Sequence, residues 1–234
     1  MNLLRILPCL LFCAGLGACA GSPPVRYFSL DDGRPATPTT PNGVSVAIVH
    51  VDLPEVIDRP QLVLRSDGHR LQLSDRDRWA EPLRRQVPRL LARDLGAALD
   101  STRVVALAMD ARDYAIDFKL AVDIQHLDVV SGQSVELDAV WRVQPRNGCA
   151  FFGRALVREA LEETAGADAY AAAIDAERNA FRAMAESIAA GIKSRLVVGT
   201  AGSADGEGCR SGADASAAIR SDDDFVGAVA PARP

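Results

Sequence analysis

Cys19 is the residue whose surroundings point most directly to a chemical modification. An apolar stretch follows Arg5 and ends in Leu16-Gly17-Ala18-Cys19, so small residues stand directly before the thiol. The stretch is long enough for a signal peptide and shorter than the ~20 residues that span a bilayer. This lipobox-like pattern predicts cleavage of residues 1–18 and acylation of the Cys19 thiol. A secretory signal with an incidental cysteine is the alternative interpretation.

Cys149 and Cys209 are the cysteines that would remain after removal of the signal peptide and acylation of Cys19. In an oxidising compartment these two thiols could form a disulfide, because Cys149 falls in a predicted turn and Cys209 in a flexible tail. Two free thiols are the other interpretation. The sequence has no CxxC motif and no Cys/His cluster at metal spacing, so we predict no metal and no cofactor.

The remaining titratable residues do not form a catalytic pattern in the sequence. His50, His69 and His126 stand on three separate segments and are interpreted as structural or surface residues. Asp75 and Asp77 could act as paired acids, but their position before a predicted helix favours an interaction with its N-terminus. The chain contains no nucleophile elbow, P-loop, dinucleotide-binding fingerprint or HExxH motif. We therefore predict that the protein is not an enzyme.

Composition separates a folded region from two flanks. The chain has 234 residues and a net charge of −5, which argues against nucleic-acid binding. Residues 19–42 combine the lipid anchor, a Pro- and Thr-rich tether and a first short strand. Residues 199–234 are rich in Gly, Ala, Ser and Asp and bury too little apolar surface to offset ordering entropy, so we predict a disordered tail. The folded domain is predicted at 43–198.

Hydrophobic periodicity predicts the elements of this domain. The clearest signal is strict alternation from Tyr114 to Ile124, whose phase slips near His126 and indicates a bulge or a strand end. Together the elements predict an α+β fold in which two long helices pack on one face of a mostly antiparallel sheet. The predicted strands are 25–30, 44–51, 61–65, 70–73, 103–107, 114–124, 135–143 and 150–161, and the predicted helices are 79–99, kinked at Pro88, and 168–196.

Several short segments follow one another in a specific order. They resemble the ABC-type transport auxiliary lipoprotein family, the PqiC-like lipoproteins that accompany MCE-domain lipid transporters. Ile57, His69 and Phe28 replace the Leu, Asn and Tyr usual in the family. The matching segments are Arg26-Tyr27-Phe28-Ser29-Leu30, Leu53-Pro54, Asp58-Arg59-Pro60-Gln61, Val63, Arg70-Leu71 and Arg78-Trp79-Ala80-Glu81-Pro82-Leu83.

The resemblance implies a TolB-N-terminal-like domain without catalytic activity. It implies a lipoprotein held by acyl chains on the periplasmic face of the outer membrane, where it docks onto the periplasmic MCE-domain subunit of a lipid transporter. Ala20, where inner-membrane retention favours Asp, agrees with outer-membrane sorting. A homo-oligomer would suit a hollow, elongated partner. A regulator of a peptidoglycan synthase and a periplasmic lipid-binding carrier are the alternative functions.

The motif residues themselves have two interpretations. In the first, they only lock a loop to the following helix, with Pro60 stiffening the loop. In the second, they present a partner interface, since Arg and Trp are enriched among binding anchors. The residues concerned are Asp58, Arg59, Pro60, Arg65, Arg78, Trp79 and Glu81.

Overall fold

A computed structural model describes residues 24–33, 43–106, 115–161 and 167–201. The predicted signal peptide, Cys19, Cys209 and most of the predicted tail lie outside these ranges. The strands are β1 (Arg26–Phe28), β2 (Val46–Asp52), β3 (Gln61–Asp67), β4 (Arg70–Trp79), β5 (Val104–Ala106), β6 (Phe118–Val130), β7 (Ser134–Pro145) and β8 (Phe151–Ala160), and the helices are α1 (Leu83–Leu99) and α2 (Ala167–Ala201).

The long strands predicted from alternation form an antiparallel meander. β7 pairs along its length with β6 on one side and β8 on the other. The register shifts between Ile124 and His126, which confirms the bulge expected from the slip in phase. Gly132 has a φ of 67° in the turn between β6 and β7, a conformation that glycine adopts at little cost.

The other strands extend the sheet beyond β6 in two directions. β2 pairs in parallel with β6 and with β5, while β3 and β4 form an antiparallel hairpin that joins the end of β6. β1 adds a short parallel strand to the end of β4. The sheet is therefore mixed, although its longest ladders are antiparallel.

Both helices pack on the same face of this sheet, as predicted. α2 lies on β7 and β8, α1 lies on β2 and β5, and the two helices contact each other. Trp141 of β7 is 5% exposed and fills the space between Gly153 of β8 and Gly191 of α2. The described chain is therefore an α+β domain with one core between helices and sheet. Neither described helix combines the length and hydrophobicity needed to cross a bilayer.

Several element boundaries differ from the predictions. β4 continues to Trp79, so that α1 begins at Leu83 instead of at Trp79. The charged run after Leu73 suggests a turn, but pairing with β1 and β3 keeps it extended. α1 continues through Pro88, and α2 reaches Ala201, three residues into the predicted tail.

Candidate functional site

The predicted motif residues meet where β4 ends. We call this region the motif junction; it comprises the turn 54–60, the end of β4 and the link into α1. The backbone N–H of Trp79 donates to the carbonyl of Pro60 at 2.8 Å, and the N–H of Ala80 donates to the carbonyl of Phe28 at 2.7 Å. These bonds join the turn to the end of β4, and that end to β1, so the motif residues fix the entry into α1.

The motif carboxylates are neutralised by arginines of α1. Asp58 accepts a hydrogen bond from the Arg84 guanidinium at 3.0 Å, and Glu81 pairs with Arg89. Asp58 thus reaches past the segment Arg78–Glu81 to the first turn of the helix. Both pairs are largely exposed on the arginine side, so each contributes less than about 1 kcal/mol.

Two motif arginines keep donors that the fold does not use. The Nε atoms of Arg59 and Arg78 are buried, and neither has a hydrogen-bond partner among the described residues. Buried polar atoms in native proteins are nearly always bonded, and guanidinium donors match carboxylate oxygens. Each residue as a whole is only half-buried, so part of each arginine stays accessible to an external acceptor.

Trp79 belongs to the core of the motif junction. It is 6% exposed and covers one end of a small pocket beneath the turn 54–60. The pocket has a volume of about 10 Å³, enough for about one water molecule. Its lining is apolar except for one carboxylate and consists of Ile57, Val63, Trp79, Leu83, Leu127, Val129 and Glu177.

Glu177 of α2 is the unexpected member of this pocket. It is 5% exposed, and its Oε2 has no hydrogen-bond partner among the described residues. Burial in these surroundings raises the pKa of the Glu177 carboxyl from 4.5 to about 8, because desolvation penalises the charged form. No sequence motif points to Glu177. The signal was its spacing, since Glu177 lies three residues after Ile174 and four before Phe181, both on the buried stripe of α2.

Arg65 joins β3 to β6 through an ion pair. Its Nε donates to Asp128, whose side chain is 10% exposed, and its Nη1 donates to the carbonyl of Gly68 at 2.8 Å. The bond to Asp128 raises the pKa of Arg65. His126 reaches the same carboxylate with Nε2 at 3.0 Å, so this histidine has a structural partner. Arg65 therefore lies outside the motif junction and supports the contact between two strands.

The other predicted sites lie partly beyond the described ranges. Cys149 is exposed in the turn before β8 and takes part in a disulfide. Its predicted partner Cys209 lies outside the described residues, so the pairing stays a prediction, as does acylation of Cys19. Among the described residues, no group of three or more His, Cys, Asp and Glu side chains is arranged to hold a metal ion.

Comparisons with known proteins agree with this architecture. One crystal structure of an uncharacterized protein covers 73% of this chain and 99% of its own, with a TM-score of 0.56 and 16% identity. Another crystal structure, of a protein from Xanthomonas campestris, covers 74% of this chain and 97% of its own, with a TM-score of 0.50 and 16% identity. At these identities the likeness shows the fold alone, and no match was found among curated proteins.

The family is shown by a broader match. The model of the ABC-type transport auxiliary lipoprotein component matches residues 28–189, which include the motif junction and most of both helices. This match confirms the resemblance carried by the motif segments. The chain belongs to the family of ABC-type transport auxiliary lipoproteins.

Proposed function

We propose that this protein is a non-catalytic outer-membrane lipoprotein of an MCE/ABC-type transport system. It docks onto the periplasmic MCE-domain subunit and supports the movement of lipids or other hydrophobic compounds, and with it envelope integrity. Membership of the auxiliary family supports the part of this proposal that describes an envelope lipoprotein associated with a transporter. The motif segments and Ala20 support the finer assignment to this partner and this membrane.

One observation carries the docking proposal: Arg59 and Arg78 are half-buried arginines whose Nε donors have no hydrogen-bond partner among the described residues. Both residues lie in the motif junction, where hydrogen bonds and ion pairs already fix the backbone. A rigid support reduces the ordering cost of binding, and charge-assisted bonds to carboxylates are among the stronger polar contacts. We therefore expect the partner to present acidic side chains to this region.

The cavities favour a protein partner over a lipid ligand. A carrier needs a largely apolar pocket of several hundred Å³. The pocket at Glu177 has about 10 Å³, and a groove between α1 and α2 of about 410 Å³ has charged residues such as Arg182 and Glu186 along its walls. A third groove of about 340 Å³, on β6, β7 and β8, is likewise lined by charged residues such as Glu136, Asp138 and Arg158, so none of the three suits an acyl chain.

The test is photocrosslinking in intact cells. A photoreactive residue replaces Val56, which is 37% exposed in the turn 54–60, and the matched control replaces Val105, which is 37% exposed on β5. We expect mass spectrometry to find an MCE-domain protein in the adduct from position 56 and not in that from position 105. A peptidoglycan synthase in the adduct from position 56 would contradict the transport role. It would support the alternative function, regulation of a peptidoglycan synthase.

Variants of the two arginines test the chemistry of docking. Arg59→Gln and Arg78→Gln together should lower the yield of the position-56 adduct at least fivefold, because one charge-assisted bond contributes about 1.5–3 kcal/mol. Arg85→Gln, at an exposed arginine of α1, is the control and should leave the yield unchanged. An unchanged yield in the double variant would mean that docking uses another surface.

A further inference from the structure

The outer face of β8 carries an exposed pattern of alternating apolar and basic residues. Phe152 is 67% exposed and Leu156 is 70% exposed, on the side of the sheet away from the helices. Arg154 and Arg158 alternate with them and are more than half exposed. We call these four residues the β8 patch. Large apolar side chains so exposed on one strand indicate a surface that another segment covers.

Two further features make the β8 patch suited to an acidic segment. The Arg142 guanidinium of β7 lies 5.9 Å from the Phe152 ring centroid, and among the described residues it donates to a neutral acceptor, Gln144, at 3.2 Å. Arg158 pairs with Glu136 at 3.5 Å in an exposed bridge, which exchanges partners at little cost. Arg154 forms a bidentate pair with Asp138, whose side chain is 20% exposed, while more than half of the Arg154 side chain stays accessible. Among the described strands, β8 pairs only with β7, so its other edge is open.

The chain contains a segment of complementary character beyond α2. Asp222-Asp223-Asp224-Phe225-Val226 places three carboxylates directly before two apolar residues. In the rest of residues 202–234, Ile219 and Val229 are the only other large apolar residues. A peptide of this composition can place its aromatic ring against an apolar side chain and its carboxylates against arginines.

The connection between α2 and this segment is long enough. The Arg195 guanidinium lies 5.1 Å from the Phe151 ring centroid, so α2 ends near the start of β8. Phe225 lies twenty-four positions after Ala201, and a chain of that length without regular structure, as the composition of the tail predicts, has an end-to-end distance of about 24–29 Å. The β8 patch is about 13 Å from Phe152 to Leu156. Such a tether gives an effective concentration in the millimolar range.

We infer that the acidic-apolar segment 222–226 docks in cis on the β8 patch and covers Phe152 and Leu156. The segment lies outside the region matched by the family model, so the family match does not by itself imply this device. It does not depend on the identity of the transport partner. A disulfide between Cys149 and Cys209 would start the tail beside β8 and shorten the tether to sixteen residues.

The test places a photoreactive phenylalanine analogue at position 152 of the full mature chain. The control places it at Tyr27, an aromatic residue of β1 that is 66% exposed. We expect peptide mapping to find residues 222–229 crosslinked to position 152 and not to position 27. Substitution of Asp222, Asp223 and Asp224 by Asn should lower the yield about fivefold or more, as should high salt.

A mixture of isotope-labelled and unlabelled chains identifies the occupant. Adducts within one chain support docking in cis. Mixed adducts would show that a second copy covers the β8 patch and would overturn the inference. The absence of any tail peptide in the adducts from position 152, or a yield that does not change when the three aspartates are replaced, would also overturn it.

Discussion

Glu177→Gln is the substitution whose effect follows most directly from the structure. Glutamine has nearly the same shape as a protonated glutamic acid and can occupy the pocket beneath Trp79 with similar contacts. It cannot ionise. The variant therefore isolates the free energy that the wild-type protein loses because its carboxyl must stay neutral in the folded state.

The pH dependence follows from the raised pKa of Glu177. Below pH 4.5 the carboxyl is protonated in both states, so ionisation does not affect stability. Between pH 4.5 and about 8 the unfolded chain releases a proton that the folded chain keeps, and stability falls by about 1.4 kcal/mol per pH unit. Above about pH 8 the loss levels off near 5 kcal/mol. Because Glu177 is buried, solvent screening does not reduce this value.

The assay is urea denaturation of the wild type and Glu177→Gln from pH 5 to pH 8. We expect the variant to be within about 1 kcal/mol of the wild type at pH 5 and about 4 kcal/mol more stable at pH 8. Glu186→Gln, at an exposed position of the same helix, is the control and should shift stability by less than about 0.5 kcal/mol throughout. Equal m values in all variants, that is, equal slopes of the free energy of unfolding against urea concentration, would show that the denatured state is unchanged.

One result would refute the reasoning about this pocket. If the stabilities of the wild type and Glu177→Gln run parallel from pH 5 to pH 8, the carboxyl does not stay neutral in the folded protein. Glu177 would then be ionised and paired, or open to water. If those parallel curves are separated by a constant gain in the stability of Glu177→Gln, the gain comes from packing instead of ionisation.

Three further predictions concern other parts of the fold. Gly153→Ala should cost about 1–3 kcal/mol, since the new Cβ would fall well inside contact distance of the Trp141 ring; the loss should shrink in a Trp141→Phe background when both are measured by denaturation. Gln86→Leu should cost about 1–3 kcal/mol in the same assay, because the buried amide holds the backbone that follows β1. Non-reducing peptide mapping should find Cys149 joined to Cys209, and a Cys149 peptide joined elsewhere would contradict the pairing. Cys149→Ser should lower the free energy of unfolding by about 4 kcal/mol, because the disulfide would close a loop of sixty residues.

The sequence alone was sufficient to predict those strands and helices whose hydrophobic pattern matches the face that is buried in the fold. The alternation in β6 and β7 predicted both strands, because one face of each strand packs against the helices. The slip in phase near His126 predicted a bulge or a strand end, and the register shift shows that it is a bulge. The apolar stripe of α2 likewise predicted a buried helix. The order and spacing of the motif segments were enough to predict the family.

Tertiary structure alone decided the environment of Trp79 and Glu177. The charged neighbours of Trp79 predict that a helix starts there. In the structure, Arg26 binds Asp77 and β1 pairs with this segment, so it stays a strand. These contacts join residues about fifty positions apart in the sequence. Glu177 reads as one polar residue in an Ala-rich helix. Its spacing on the stripe of α2 signals burial, but its neutral state arises because residues from β3, β4, β6 and α1 converge on it, and the sequence does not show which distant segments meet there.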